Sequence, residues 1–188
     1  MTESKATPLS PFYYRDNYQR LCDTVEAQYG DILGDDERAL LQVFRALTFN
    51  AQCLYVRLIS RTGPWFRESK LAYAELGSVT PLVDELLANG MAVAATALTA
   101  QELGKLFTRG ELQQMFASLG HTKLADKPAL LLAIDQLALD ADATLLAIAA
   151  LDSGRIVAPL GVEFTQLLQL LFFGNRRQSL TDFVLQDL

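Results

Sequence analysis

Apolar residues recur at three- and four-residue steps along most of this chain. Tyr14, Tyr18, Leu21, Val25 and Tyr29 mark one face of residues 13–29, which is the period of a helix. Gly30 is placed to end it. A second helix is predicted from Asp35, with acids in its first turn where the helix dipole favours them. It carries Leu40, Leu41, Phe44 and Leu47 on one side. A third runs from about Asn50 to Arg61 with Leu54, Tyr55, Leu58 and Ile59 as its apolar side. Arg57 and Arg61 stand four apart at its edge and are therefore neighbours. Thr62-Gly63-Pro64 stops this helix. SKLAYAEL (69–76) reads as a short helix and Gly77-Ser78 as a turn. Thr80-Pro81 opens TPLVDELLANG, which Asn89-Gly90 closes. MAVAA (91–95) reads as a short strand. Helix, short helix, helix and strand in this order make a helix-turn-helix plan with a β wing.

Further helices are predicted over 98–107, over 108–120 with Gly120 at its end, and over 126–139 behind Asp126 and Pro128. Another covers about 143–151, followed by an extended stretch at 154–160 and a helix over 162–173. A GNRRQ turn then leads to LTDFVLQDL (180–188), which reads as the opening turns of something longer. The expected fold is mainly α, with a winged-helix-like N-terminal part, more helices after it and a short β wing.

Length and composition allow one large domain or two small ones. Of 188 residues, 51% are hydrophobic and 20% charged, which suits a packed core and argues against disorder. The apolar runs ALLLAI and LLAIAAL are far shorter than a membrane span, and MTESKATPLSPF has no signal-peptide core. The reading is a soluble, cytoplasmic protein with no membrane partner and a flexible start over 1–11. Cys22, Cys53 and His121 are scattered and lack zinc-ligand spacing. The two cysteines lie beside leucines at helical positions, as buried thiols of a reducing compartment do.

Charge sharpens the picture in one place. The chain has 16 Lys+Arg against 22 Asp+Glu, a formal net charge of −6, which argues against a surface coated in basic residues. Yet QCLYVRLISRTGPWFRESKLAY (52–73) holds Arg57, Arg61, Arg67 and Lys70 against Glu68 alone. Four such cations, if they converge, form a clamp for phosphates, which Arg suits by its planar donor fork. Trp65, the single tryptophan, and Phe66 could stack on an unpaired base or plug the core. The helix over 80–90 carries Asp84 and Glu85 and no basic residue, so it would be repelled from a DNA groove. Any DNA contact is expected through backbone and shape, without sequence choice. A second candidate is the turn before the 126–139 helix, where His121, Lys123 and Lys127 surround a helix N-terminus; ordinary solvated lysines are the alternative.

Catalytic chemistry is harder to find. There is no Gly-rich phosphate loop, and His121 is the one histidine. Glu68-Ser69-Lys70 has the E-x-K form of metal-dependent nucleases, but such triplets work from strands and this segment reads as helical. No catalytic or metal-binding residue is assigned.

PFYYRDNYQRLCDTVE, CLYVRLISRTGPWFRESKLAYAELGSVTPLVDELLANGMA, TRGELQQMFASLGHTKLADKPALLLAI and QLLQLLFFGNRRQSLTDFVLQDL together resemble the N-terminal region of the Fanconi-associated nuclease family in its bacterial form, from about residue 12 to 188. The resemblance implies a structure-specific nuclease that cuts near 5′ flaps and acts in interstrand-crosslink repair. It implies an N-terminal winged-helix and SAP-type DNA-binding region, then helical repeats, then a VRR-NUC nuclease domain with Mg or Mn. The last two would lie beyond residue 188, leaving no catalytic residue and no cofactor in this chain. It places a DNA-binding region at 12–97, a SAP-type pair at 98–140 and a helical segment at 141–188. It also implies DNA contact by Arg57, Arg61, Arg67, Lys70, Lys123 and Lys127, with branched or flap DNA and the C-terminal domains as partners. The competing reading is a protein-interaction or self-associating module without direct DNA contact. Arginines paired with acids would favour that second reading; a solvent-facing strip would favour the first.

Overall fold

A computed structural model describes residues 10–117 and 126–174. Its elements are α1 (Tyr13–Tyr29), α2 (Asp35–Ala46), α3 (Phe49–Ile59), β1 (Phe66–Arg67), α4 (Thr80–Ala88), β2 (Ala92–Ala94), α5 (Ala100–Leu106), α6 (Arg109–Met115), α7 (Lys127–Gln136), α8 (Ala141–Leu151), β3 (Ile156–Pro159) and α9 (Val162–Phe173). The fold is mainly helical with one small sheet, as the periodicity predicts. Contacts divide it into two units. Among the described residues, one comprises 10–62, 73–91 and 159–174, the other 63–72, 92–117 and 126–158.

The first unit is built around α3. Its residues from Ala51 to Val56, with Leu58 and Ile59, are buried, because α1 and α4 both pack on it. Helix α1 contributes Tyr14, Tyr18, Leu21, Cys22 and Val25, the expected stripe. Tyr18, Phe44 and Tyr55 form an aromatic cluster with centroids 5.0–6.2 Å apart. The buried hydroxyls are satisfied, as they must be. Tyr18 shares a hydrogen bond with Thr165 Oγ1 at 3.2 Å, and Tyr55 donates to the Leu160 carbonyl at 2.8 Å. Cys22 and Cys53 are buried free thiols, and burial pushes the Cys22 thiol up to about 12.

Gly161, ahead of α9, sits at φ +79°, and a Cβ there would come within 2.8 Å of both Leu40 and the Tyr55 hydroxyl. Gly161→Ala is expected to cost about 1–3 kcal/mol from backbone strain and more if Tyr55 gives up its bond. Urea unfolding checks this; an unchanged midpoint would contradict it.

In the second unit three strands lie in the order β1-β3-β2, with Phe66 opposite Val157 and Arg67 opposite Ile156. Helices α5 and α6 each open with a full capping box, Thr99 with Glu102 and Thr108 with Glu111, the reciprocal arrangement that satisfies two terminal N–H groups. Asp126 and Asp140 cap α7 and α8. Leu103, Phe107, Leu112, Phe116, Leu130 and Ile148 fill the core beneath.

Two expectations change. Residues 69–76 are not a helix: Glu68–Lys70 make one 3-10 turn and an irregular run follows. The cause is upstream, since the Glu68 N–H donates to the Arg155 carbonyl at 2.8 Å, committing the chain to the sheet. The strand β2 forms where the wing was predicted, but Ala95 N–H donates to the Ile156 carbonyl, so its partner is remote in sequence. The chain also leaves and re-enters each unit. The readings for residues 1–9, Gly120, His121, Lys123, Arg176, Arg177 and 180–188 lie outside the described residues.

Candidate nucleic-acid interface

Arg57 leaves the last turn of α3 with its side chain 36% exposed. Its guanidinium lies 4.0 Å from the Tyr14 ring centroid and 5.4 Å from that of Tyr73. It donates to Glu75 Oε1 at 2.6 Å, and the Tyr14 hydroxyl donates to the same oxygen at 3.2 Å. Burial works to raise the Glu75 carboxyl, but bonds from its own backbone, Arg57 and Tyr14 hold it below the ordinary value. Burial pushes the Tyr14 phenol up, so it stays a neutral donor. One turn on, the exposed Arg61 donates to the Tyr73 hydroxyl at 3.2 Å. Arg57 is thus held against Tyr14 and Glu75, and Arg61 lies exposed one turn on, bonded to Tyr73. Tyr14, Tyr73 and Glu75 escaped sequence reasoning; the aromatics flanking the basic block were the available signal.

Arg67 requires a correction. It sits on β1 with 8% of its side chain exposed, donating to Glu111 Oε1 at 2.7 Å and to Asp152 Oδ2 from Nε at 2.8 Å and Nη2 at 2.7 Å. Its guanidinium also lies 4.3 Å from the Phe107 ring centroid. Three of its N–H donors serve these two carboxylates within the second unit, and its burial leaves little of the side chain at the surface. Asp152 is the hub: it also accepts from Ser69 Oγ at 2.5 Å and from Gly154 N–H at 2.9 Å. The sequence gives no warning of this, because Glu111 and Asp152 stand 44 and 85 residues away.

The rest of the basic set divides as follows. Lys70 is exposed at the end of its 3-10 turn. Lys127 is half-buried, and its ammonium donates to the Phe107 carbonyl at 2.7 Å, closing the C-terminal end of α5. Trp65 packs on the second unit's core and donates its indole N–H to Glu102 at 2.8 Å, while Phe66 is buried. Both aromatics serve packing. Glu68 of the E-x-K triplet is 7% exposed and accepts from Arg155 Nε at 2.7 Å; its charge is met by an arginine. Among the described residues no three His, Cys, Asp or Glu side chains are grouped to hold a metal, and no helix is long and apolar enough to cross a membrane.

The acids of this network give a pH prediction. The Thr108 N–H and then Arg67 hold the Glu111 carboxyl down to about 2, from an ordinary 4.5. Glu102 is lowered too, chiefly by the Thr99 N–H, and Asp152 is lowered because Ser69, Gly154 and Arg67 outweigh burial. A carboxyl lowered in the folded state contributes stability above its unfolded pKa and loses it as pH falls through the folded one. The urea midpoint should therefore hold from neutral pH to about 4.5 and fall steadily towards 2, with Glu111→Gln flattening the fall. A midpoint independent of pH over that window would contradict the network.

Comparison with known proteins gives concordant matches. The family described as "FAN1, HTH domain" matches residues 12–93. The Fanconi-associated nuclease 1 homolog of Pseudomonas aeruginosa is 38% identical over 187 residues, covering 98% of this chain and 33% of the relative. The crystal structure of paFAN1 bound to DNA with a 2-nucleotide 5′ flap and a gap superposes with a TM-score of 0.84 at 33% identity, covering 97% of this chain and 33% of that one. A second paFAN1 structure, with a 1-nucleotide flap, gives 0.73 at 31% identity, covering 95% and 33%. The chain spans about a third of the length of these relatives. Fold, sequence and the position of the helix-turn-helix domain agree: the chain belongs to the Fanconi-associated nuclease family, with the family's helix-turn-helix region at its N-terminal end.

Proposed function

We propose that this chain is a DNA-binding, substrate-orienting N-terminal module of a structure-specific repair nuclease of the 5′-flap and interstrand-crosslink type. The observation that carries this is the likeness, at TM-score 0.84 over 97% of the chain, to a protein crystallised on flap DNA. Phosphates are contacted from Arg61 and Lys70, the exposed members of the basic block, while Arg57, Tyr14 and Glu75 brace the helix end from which Arg61 projects. Helix α4 does not read a groove, since its Glu85 is bonded to the Thr48 N–H and hydroxyl and Asp84 adds negative charge. Cleavage, with Mg or Mn, belongs to further domains of the whole protein, which works in the cytoplasm. Fluorescence anisotropy of residues 1–188 with 5′-flap and blunt duplex DNA tests the proposal. Binding that favours the flap supports it, and absence of binding at low salt opposes it.

A protein-docking module is the second reading. It is favoured by the pairing of Arg57 and Arg67 with acids and by Leu132 on α7 and Leu146 on α8, which are 60% and 73% exposed.

A further inference from the structure

Phe49 opens α3 with 45% of its surface exposed, although most of the residues behind it are buried. A lone phenylalanine at a rim is ordinary. This one has a fixed cation beside it. The Arg15 guanidinium lies 5.1 Å from the Phe49 ring centroid, and Phe12 meets the same ring at 5.0 Å and 76°. Arg15 cannot swing freely, because Nε and Nη2 both donate to Gln52 Oε1, at 2.8 and 2.5 Å. Gln52 is 4% exposed, and its amide nitrogen is held in turn by the carbonyls of Phe44, Arg45 and Leu47. A buried amide in the first turn of α3, anchored on carbonyls at and just beyond the end of α2, thus orients an arginine over an exposed aromatic ring.

Ordering an arginine costs side-chain entropy, which the Gln52 bonds and the Phe49 contact offset; the Asp16 partner at 3.2 Å is 56% exposed, and such pairs are weak. An aromatic face with a fixed guanidinium beside it matches a base and its phosphate. We propose that Phe49, with Phe12 and Arg15, is a stacking subsite for one unpaired nucleotide of the DNA. The inference rests on the DNA-binding reading and adds the single-stranded part of the substrate to it. Acids set the scale of the subsite. Asp16 partly neutralises Arg15, and Glu85, bonded to Thr48 next to Phe49, keeps a duplex backbone away.

Oligothymidylate carrying one 2-aminopurine, and a blunt duplex of equal length, are titrated with residues 1–188 and two variants, Phe49→Leu and Arg15→Gln. Stacking on Phe49 should quench the 2-aminopurine. Phe49→Leu stays apolar but removes the ring, and should weaken single-strand binding about tenfold and remove the quench. Arg15→Gln should weaken it less, and duplex affinity should stay within about twofold for both. Equal losses on single strand and duplex, or no loss in Phe49→Leu with its melting temperature retained, would overturn the subsite and leave the DNA-binding reading intact. Wild-type protein that binds neither DNA would overturn both.

Discussion

Arg67→Ala should destabilise the second unit by about 3–5 kcal/mol, the scale for removing one partner of a buried charge cluster. The substitution strips Asp152, whose side chain is 8% exposed, of two donor contacts and Glu111 of one. Asp152 keeps its bonds from Ser69 and Gly154 but is left buried without a counter-charge, and a buried charge without its ionic partner costs more than a lost bond. Loss of the contact with Phe107 adds to this. The melting temperature should fall by roughly 6–15 °C in a chain of this size. Arg67→Lys should recover only part, because one ammonium cannot span two carboxylates with the geometry of a planar fork. Thermal melts of the three proteins check this. A melting temperature within about 2 °C of wild type in Arg67→Ala would show that the network is dispensable and would restore Arg67 as a surface candidate.

Arg61→Glu combined with Lys70→Glu should do the opposite, leaving the fold intact while weakening flap-DNA binding by roughly tenfold to a hundredfold near physiological salt. Both side chains are exposed, Arg61 with an exposed bond to the Tyr73 hydroxyl, and exposed substitutions usually cost far less than buried ones. The loss should be uniform across DNA sequences, because phosphate contacts carry no base information. The log–log salt slope should fall in magnitude by about 0.9 for each phosphate contact removed. Equal affinity of the folded double variant and wild type would take the basic block out of the account.

How far the residues alone disclosed this is clearest at three places. The face of α1 follows from its period, since Tyr14, Tyr18, Leu21 and Val25 are buried as one stripe. The 69–76 stretch has helical spacing but is not helical, because a strand bond from Glu68 to Arg155, across the sheet, takes its first residues. Local periodicity contains no term for a partner 87 residues on. The basic block shows the same limit. Its charge is visible in sequence, but whether an arginine faces water or an acid is decided by tertiary pairing. Arg67 and Arg61 look alike in the sequence, and burial separates them. The basic block suggests a phosphate contact and the family resemblance names flap DNA as its partner, while the net charge of −6 argues only against a surface coated in basic residues.

The central claim is that this chain holds flap DNA by its phosphates. Titrating 5′-flap DNA with residues 1–188 at several salt concentrations between about 50 and 200 mM tests it most directly. The account predicts a linear fall of log affinity with log salt, with a slope of roughly −2 or steeper if at least two phosphates are engaged, and tighter binding to flap than to blunt duplex. A flat slope, or no binding at the lowest salt, would contradict it and leave the protein-docking reading in its place.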